Sequence, residues 1–471
     1  MARRTKIVAT LGPACENSDV LTRMLRAGAD VLRLNYSHGR SEDQARRADT
    51  ARAVAKALGL DIAILADLQG PKIRIESFAN GPVELVEGQA FALDTAMGAN
   101  AGDEHAVGCA YENLPRDVKP GDVLLLNDGA IALRVEKTAG TRVETTVLVG
   151  GPLSNRKGIN KQGGGLSAAA LTDKDREDLR HACALGVDFI AVSFPRTAQD
   201  LEEARRLMQA AGGKAALIAK IERAEALPNL EAIIAASDAV MVARGDLGVE
   251  IGDAELPGWQ KRIIALAREM NRMVITATQM MESMIVNPLP TRAEVSDVAN
   301  AVMDGTDAVM LSAETATGRW PVKVVEAMAR VCVAAERAPT PEREHRHIEK
   351  HFQRVDEAVA MATAYTARNM HAEAIVALTD SGHTALLMSR AQTGIPIYAL
   401  TPYEATRRKM ALCRGVYPMS FKPRSAETQA QEAIELLRDR QVVKTGDRIL
   451  LTKGDATGPG GTNTMKIITV G

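Results

Sequence analysis

Leu217-Ile-Ala-Lys-Ile-Glu222 is a short apolar run that ends in charge, and Ala239-Val-Met-Val-Ala-Arg-Gly-Asp246 repeats that arrangement further along. An uninterrupted apolar run of strand length is what a strand buried on both faces looks like. Further runs of this kind are Ile7–Leu11, Val31–Leu34, Ile62–Ala66, Phe189–Val192, Val274–Ala277 and Ala308–Leu311. Amphipathic helical stretches lie between them, at Ser18–Ala27, Ser41–Leu58, Lys174–Leu185, Ala198–Ala210 and Trp259–Met270. Eight strands alternating with helices predict an α/β fold, a parallel (β/α)₈ TIM barrel.

The alternation breaks once. Between the third and fourth runs lies far more chain than the roughly 30 residues of one βα unit. That segment has turn signals at Asn80-Gly81-Pro82, Lys119-Pro120-Gly121-Asp122 and Asn127-Asp128-Gly129. Strand-like Val123–Leu126, Ile131–Val135 and Val143–Val149 lie between them, so residues 71–166 read as an inserted all-β domain, a small β-barrel. The barrel itself then takes 1–70 and 167–340. A helix near Trp320–Arg337 is followed by a polar, proline-bearing linker at Ala338–Lys350. Residues 345–471 read as a C-terminal open α/β domain. Its helix signals are Asp356–Asn369, His383–Ala391, Tyr403–Leu412 and Glu427–Asp439; its strands are Ala374–Leu378, Pro396–Leu400 and Arg448–Thr452. No internal repeat and no low-complexity tract is read.

Bulk composition narrows the function. The 471 residues carry 58 Lys+Arg against 59 Asp+Glu, a net charge of -1. That balance offers no bulk attraction to nucleic acid or membrane, so any anion site must be built locally. Cys15, Cys109, Cys183, Cys332 and Cys413 are scattered, with no C-x-x-C pair, as suits free thiols in a reducing compartment. Arg3 and Arg4 precede an apolar run that Gly12-Pro13 ends too early for an export signal. No stretch is long and apolar enough to span a bilayer. The expectation is a cytoplasmic protein.

Catalytic groups of such a barrel sit at the C-terminal strand ends, where residues two apart point the same way. Polar pairs occur there: Arg33 with Asn35, Lys220 with Glu222, and Thr276 with Thr278; Asp67 and Asp246 also follow apolar runs. A lysine facing the axis can form a Schiff base or stabilise negative charge, and a neighbouring carboxylate favours the charged form. A surface ion pair is the plain alternative. Glu222 and Asp246 would give Mg²⁺ two hard oxygen ligands. The turn Arg244-Gly245-Asp246-Leu247-Gly248 either binds a carboxylate or phosphate through its N–H groups or is an ordinary βα turn. Thr278 could pass a proton, although a threonine at a strand end is usually structural. Arg33, Arg74, Lys157 and Lys220 make a dispersed phosphate clamp plausible.

Seven segments in this order and spacing resemble pyruvate kinase. They are Lys6-Ile-Val-Ala-Thr-Leu-Gly-Pro13, Arg33-Leu-Asn-Tyr-Ser-His-Gly39, Asp67-Leu-Gln-Gly-Pro-Lys-Ile-Arg74, Lys220-Ile-Glu222, Ala243-Arg-Gly-Asp-Leu-Gly-Val-Glu250, Ala277-Thr-Gln-Met-Met-Glu282 and Pro290-Thr-Arg-Ala-Glu-Val-Ser-Asp297. The resemblance implies phosphoryl transfer from phosphoenolpyruvate to ADP, giving pyruvate and ATP. It implies that Lys220 stabilises the enolate and the migrating phosphoryl group and that Arg33 grips that group. It gives Glu222 and Asp246 to Mg²⁺, with Mn²⁺ as a substitute. Gly245, Asp246 and Thr278 would hold the substrate carboxylate, with Thr278 on the proton path. Arg74, Lys157 and His38 would meet the nucleotide, under a lid formed by the insert. A homotetramer is also implied.

The chain departs from the family pattern at two places. Family members that use K⁺ hold it with Asn, Ser, Asp and a Thr carbonyl, here matched by Asn35, Ser37, Asp67 and Leu68. Many of those have Glu where this chain has Lys72, whose ammonium would replace the K⁺ charge; the expectation is activity with little or no need for K⁺. Asn160-Lys-Gln-Gly-Gly-Gly165 replaces the usual Asn-Leu-Pro-Gly hinge. In the C-terminal domain, Thr379, Ser381, Gly382, His383 and Thr384, and the loop Gly454–Gly461, would cradle the phosphate of a sugar-phosphate or nucleotide effector, or be ordinary turns. Two other readings compete. A pyruvate-releasing lyase would not need Arg74 or Lys157. A silent metabolite sensor would not need Lys220, Glu222, Asp246 and Thr278.

Overall fold

Parallel strands close into a barrel in chain order: Lys6–Thr10, Val31–Asn35, Ala63–Asp67, Phe189–Val192, Ala216–Ile221, Ala239–Ala243, Met273–Ala277 and Ala308–Leu311. The computed structural model describes residues 3–338, 352–454 and 461–471. The runs read from the sequence fall on these strands, displaced by a residue at most at either end. Alternation sorts their side chains. Val8, Leu65, Phe189, Ile218, Met241 and Ile275 fill the barrel, and Ile7, Ile64, Ile190, Leu217 and Val274 pack outward under the helices. Fully burying one such side chain is worth roughly 1.5–3 kcal/mol.

The base of the barrel carries a repeat that the sequence reading denied. Asp30, Asp188, Asp238 and Asp307 stand immediately before the second, fourth, sixth and eighth strands. Each carboxylate accepts the N–H of the second residue of the preceding strand: Ile7 at 2.7 Å, Ile64 at 2.8 Å, Leu217 at 2.7 Å and Val274 at 3.0 Å. Each aspartate N–H returns to the carbonyl of that same residue at 2.9 Å. Each carboxylate also holds an arginine, in order Arg3, Arg408, Arg205 and Arg390. The unit is a strand pair with one aspartate clamp, used four times around the barrel. Helices of unequal length, and the insert, separate the aspartates, so no fixed period marks the repeat in the sequence.

Two of those arginines, Arg408 and Arg390, come from the C-terminal domain and dock it under the barrel. Its sheet runs in the order Val416–Ser420, Ile397–Thr401, Ala374–Leu378, Arg448–Gly454, Thr462–Thr469, the last strand antiparallel. The three inner strands match the sequence reading; both edge strands were missed. An edge strand is not buried on both faces, and Val416–Ser420 also contains a proline, Pro418. The linker read at Ala338–Lys350 lies, beyond Ala338, outside the described residues.

The insert forms a six-stranded sheet ordered Ile159–Lys161, Val123–Leu126, Ile131–Ala139, Arg142–Val149, Ala90–Asp94, Ala106–Gly108. Its two edges are joined through one segment: Arg74 bridges to Gly158 and Ile75 to Cys109. The sheet thereby closes on itself. One short helix, Leu114–Asp117, lies among its strands. All five cysteines are free, and among the described residues no helix is long and apolar enough to cross a membrane.

Candidate active site

At the barrel mouth the third and fifth strands bring opposite charges together. The Lys220 ammonium lies 2.9 Å from Glu222 Oε1 and 3.1 Å from Asp67 Oδ1, and donates to Ser193 Oγ at 2.7 Å. Asp67 also accepts from Arg33 Nε at 2.7 Å, and Arg33 Nη1 reaches Thr10 Oγ1 at 3.0 Å. Burial alone would favour a neutral Lys220, but Asp67 and Glu222 outweigh it and hold the ammonium above the ordinary lysine range. Such a lysine stabilises negative charge and is a poor nucleophile, which decides against a Schiff base. Burial works to raise Asp67 as well, yet Lys220 and Arg33 keep its carboxyl below the usual range. Glu222 is pushed up by burial, relieved by Lys220 and raised again by nearby Asp246.

Asp246 and Gly245 lie in the first turn of helix Arg244–Ile251, directly after the sixth strand. The Gly245 N–H donates to Thr278 Oγ1 at 2.8 Å. Thr278 is just past the seventh strand at φ 67, and Gln279 follows at φ 53. A β-branched residue in that region is strained, and the neighbourhood must hold it there. Buried Arg244 does so, donating to the Thr278 carbonyl at 2.7 Å and the Ala277 carbonyl at 3.2 Å while pairing with Asp297 at 2.7 Å.

Above the mouth, Lys72 Nζ sits 3.3 Å from Asp246 Oδ1. A Cβ on Gly158 would come 3.3 Å from Lys72 Cε, so the glycine leaves room for that reach. Gly70, where the chain leaves the barrel, has φ 68, and a Cβ there would lie 2.6 Å from Ser193. Arg74 and Lys157 stand on the two paired segments that close the insert's sheet. His38 faces the same space; partial burial, then Arg74, Arg33 and Lys72, hold its ring below the ordinary histidine range.

The carboxylates fit a hard divalent cation. Asp246 helps to push Glu222 up, so the two repel across a gap that such a cation would relieve. Among the described residues no cluster of three or more His, Cys, Asp or Glu forms a cage. Two carboxylates, with water and phosphate oxygens for the rest, are the Mg²⁺ pattern.

This arrangement of a barrel and an α/β domain is shared with known enzymes. The family model described as "Pyruvate kinase, barrel domain" matches residues 2–325, and "Pyruvate kinase, alpha/beta domain" matches 357–468. The chain belongs to the pyruvate kinase family. It is 54% identical over 474 residues to pyruvate kinase II of Salmonella typhimurium, covering 99% of both chains. It is 52% identical to pyruvate kinase of Haemophilus influenzae, covering 98% of this chain and 97% of that one. The crystal structure of a pyruvate kinase from Cryptosporidium parvum superposes with a TM-score of 0.93 at 33% identity, over 100% of this chain and 96% of that one. The reaction is transfer of the phosphoryl group of phosphoenolpyruvate to ADP, giving pyruvate and ATP.

The pyruvate kinase mouth corrects one sequence pair. Thr276 does not face the axis with Thr278: inward positions of the seventh strand are Met273, Ile275 and Ala277. Thr276 is fully buried on the outer side, its hydroxyl 3.0 Å from Thr306 Oγ1. Thr278 reaches the site only because its left-handed backbone turns it back. Conversely, Ser193 and Thr10 touch Lys220 and Arg33 and were missed. Both continue the inward alternation of their strands, which counting by twos from Ala191 and Val8 would have found.

Three of the four residues matched to K⁺ have their oxygens engaged by protein partners here. Leu68 O accepts from Ser193 Oγ at 2.7 Å, Asn35 Oδ1 from the Ser37 N–H at 3.1 Å, and Asp67 is paired with Arg33 and Lys220. In the C-terminal domain, Thr379 Oγ1 caps the Gly382 N–H at 2.9 Å, and Ser381 Oγ lies 3.4 Å from the His383 N–H. Thr384 is buried and bonded to Thr462 Oγ1 at 2.6 Å, so its hydroxyl is turned inward. The second loop read as a phosphate cradle, at 455–460, lies outside the described residues.

Proposed function

We propose that Lys220 carries the chemistry of this pyruvate kinase. The observation that supports it is a buried ammonium held charged between Asp67, Glu222 and Ser193. As phosphoryl leaves phosphoenolpyruvate, negative charge grows on the enolate oxygen, and a preorganised ammonium there lowers the barrier. Arg33 grips the phosphoryl oxygens while Asp67 and Thr10 fix its plane. The substrate carboxylate takes the Gly245 and Asp246 N–H groups, displacing Thr278 Oγ1 from Gly245. Thr278, freed on that side, relays a proton from a water to the enolate carbon, its hydroxyl regaining from the water the proton that it gives. Glu222 and Asp246 would hold Mg²⁺, or Mn²⁺ in its place; when bound, it supplies positive charge to the phosphate oxygens.

Arg74, Lys157 and His38 meet the nucleotide, and the insert of residues 71–166 acts as a lid that excludes water. Lys72 places a fixed positive charge beside Asp246, so the reaction needs little or no K⁺. Thr379, Ser381, Gly382 and His383 are proposed to receive a phosphate-bearing effector. The inward-turned hydroxyl of Thr384 takes no direct part. A cytoplasmic homotetramer remains the expected state.

The test is pyruvate release from phosphoenolpyruvate, ADP and Mg²⁺ in buffer free of K⁺, then with K⁺ added. Rapid ADP-dependent release without K⁺ is expected. Strong K⁺ activation with both substrates saturating would remove the Lys72 assignment and leave the reaction standing.

A further inference from the structure

Both segments that connect the insert to the barrel border one cleft, lined by Lys72 and Ile73 of the first and by Asn160 and Leu166 of the second. Asp246 and Glu250, on successive turns of helix Arg244–Ile251, share its wall. Glu250 is buried there, and its carboxylate is divided between two elements. Oε1 accepts from Asn160 Nδ2 of the returning insert strand at 3.4 Å. Oε2 accepts the Ala224 N–H at 2.8 Å, in the loop that follows Glu222. The Glu250 carbonyl takes the Gly163 N–H at 2.9 Å, so backbone and side chain both grasp the hinge. Next to it, Glu225 accepts the Gly165 N–H at 2.5 Å, and Arg223 donates to Leu166 O at 3.0 Å. The insert also touches this helix at Gly129, where a Cβ would lie 3.9 Å from Val249.

We propose that Glu250 is a positioning residue which couples the lid to the metal carboxylates, by bonding the hinge at Asn160 to the loop behind Glu222 from the helix that carries Asp246. It rests on the reading of the insert as a nucleotide lid. A buried carboxylate is costly, and one that only filled space would be replaced without loss by an apolar side chain. This one touches each element that must move or hold still when the lid closes. Substrate that binds under the lid depends on the coupling; phosphoenolpyruvate, seated in the barrel mouth, does not.

The test is steady-state kinetics of the full-length enzyme with Glu250→Ala, Asn160→Ala and the double variant. Each single variant raises KM for ADP about five- to tenfold and leaves KM for phosphoenolpyruvate within about twofold, the scale of one coupling contact. The double variant is no worse than Glu250→Ala, because that change already removes the contact to Asn160. Glu250→Gln keeps the acceptor for Ala224 and fills the same space but turns a donor toward Asn160 Nδ2, so it shows the same rise in KM for ADP, which also covers a Glu250→Ala chain that does not fold. Equal rises in both KM values, or losses that add in the double variant, would overturn the proposal. Lys157→Ala separates the two readings: if it raises KM for ADP while the Glu250 variants do not, the lid stands and Glu250's role falls. If Lys157→Ala changes nothing, the lid reading fails.

Burial, with Glu225 adding to it, pushes the Glu250 carboxyl up to about 7, against the Ala224 N–H, Arg223 and Asn160. Lys72 and Asp246 share the same cleft. Protonation below that value removes one acceptor. KM for ADP therefore rises more steeply on going from high to low pH in the unaltered enzyme than in Glu250→Gln; identical pH profiles would count against the coupling.

Discussion

The two ends of one barrel use carboxylates in opposite ways. At the base, Asp30, Asp188, Asp238 and Asp307 each accept the N–H of a neighbouring strand and pair with one arginine. At the mouth, Glu222 is pushed up by burial and by Asp246, and its ammonium partner Lys220 is shared with Asp67. The base repeats one geometry around the ring, as stability requires. The mouth repeats nothing, and it stores like-charge repulsion where a cation and phosphates are to bind. Changes at the mouth should therefore reach turnover, and changes at the base should reach folding.

Lys220→Met is expected to give the largest effect. Turnover should fall by about a thousandfold or more, the scale of losing a preorganised charge in a dry site. Folding should persist, because Asp67 keeps Arg33 and Glu222 keeps the Phe194 N–H at 2.8 Å. Pyruvate release and a thermal melt measure the two sides together. A variant that melts early but turns over normally when folded would reverse the comparison.

Asp307→Ala probes the other end. It strands buried Arg390 and removes the acceptor of the Val274 and Arg414 N–H groups. Leaving one member of a buried pair alone costs roughly 3–5 kcal/mol. Asp238→Ala breaks the same clamp, but its Arg205 is one-third exposed, so solvent takes over part of the pair and the loss should be about 1–2 kcal/mol. Chemical denaturation ranks the two. Equal losses would mean that the strand clamp alone, and not the docked C-terminal domain, sets the stability of the base.

The sequence made the strands legible because burial on both faces writes continuous apolar runs, and the mouth legible because charge ends them. Lys220, Glu222, Asp67 and Arg33, read as strand-end groups, meet at the mouth. The edge strands of the C-terminal sheet were hidden because half-exposed strands lack that signature. The clamp aspartates stood in view as Asp30-Val31, Asp188-Phe189, Asp238-Ala239 and Asp307-Ala308. Only closure of the barrel, which brings each to its neighbour strand, gives them a common role. Lys72 beside Asp246 is a contact between the insert's root and a barrel helix, and no local pattern encodes such a distance.

The smallest expected effect comes from the pair that spacing misread. Thr276 and Thr278 are two residues apart, and a regular strand would send both to one face. The strand stops at Ala277, and Thr278 turns the other way at φ 67. Thr278→Val keeps shape but leaves the Gly245 N–H without its 2.8 Å acceptor and takes away the proton carrier. Turnover should drop about a hundredfold, the lower range for a lost proton-transfer group. Thr276→Val removes one hydroxyl contact to Thr306, which still has the Val274 and Ala308 carbonyls at 3.1 and 3.0 Å. That variant should lose only about 1 kcal/mol of stability and keep its turnover. If Thr276→Val slowed the reaction as Thr278→Val does, the outward side of the seventh strand would have to communicate with the mouth. The division between a structural face and a chemical face would then fail within a single strand.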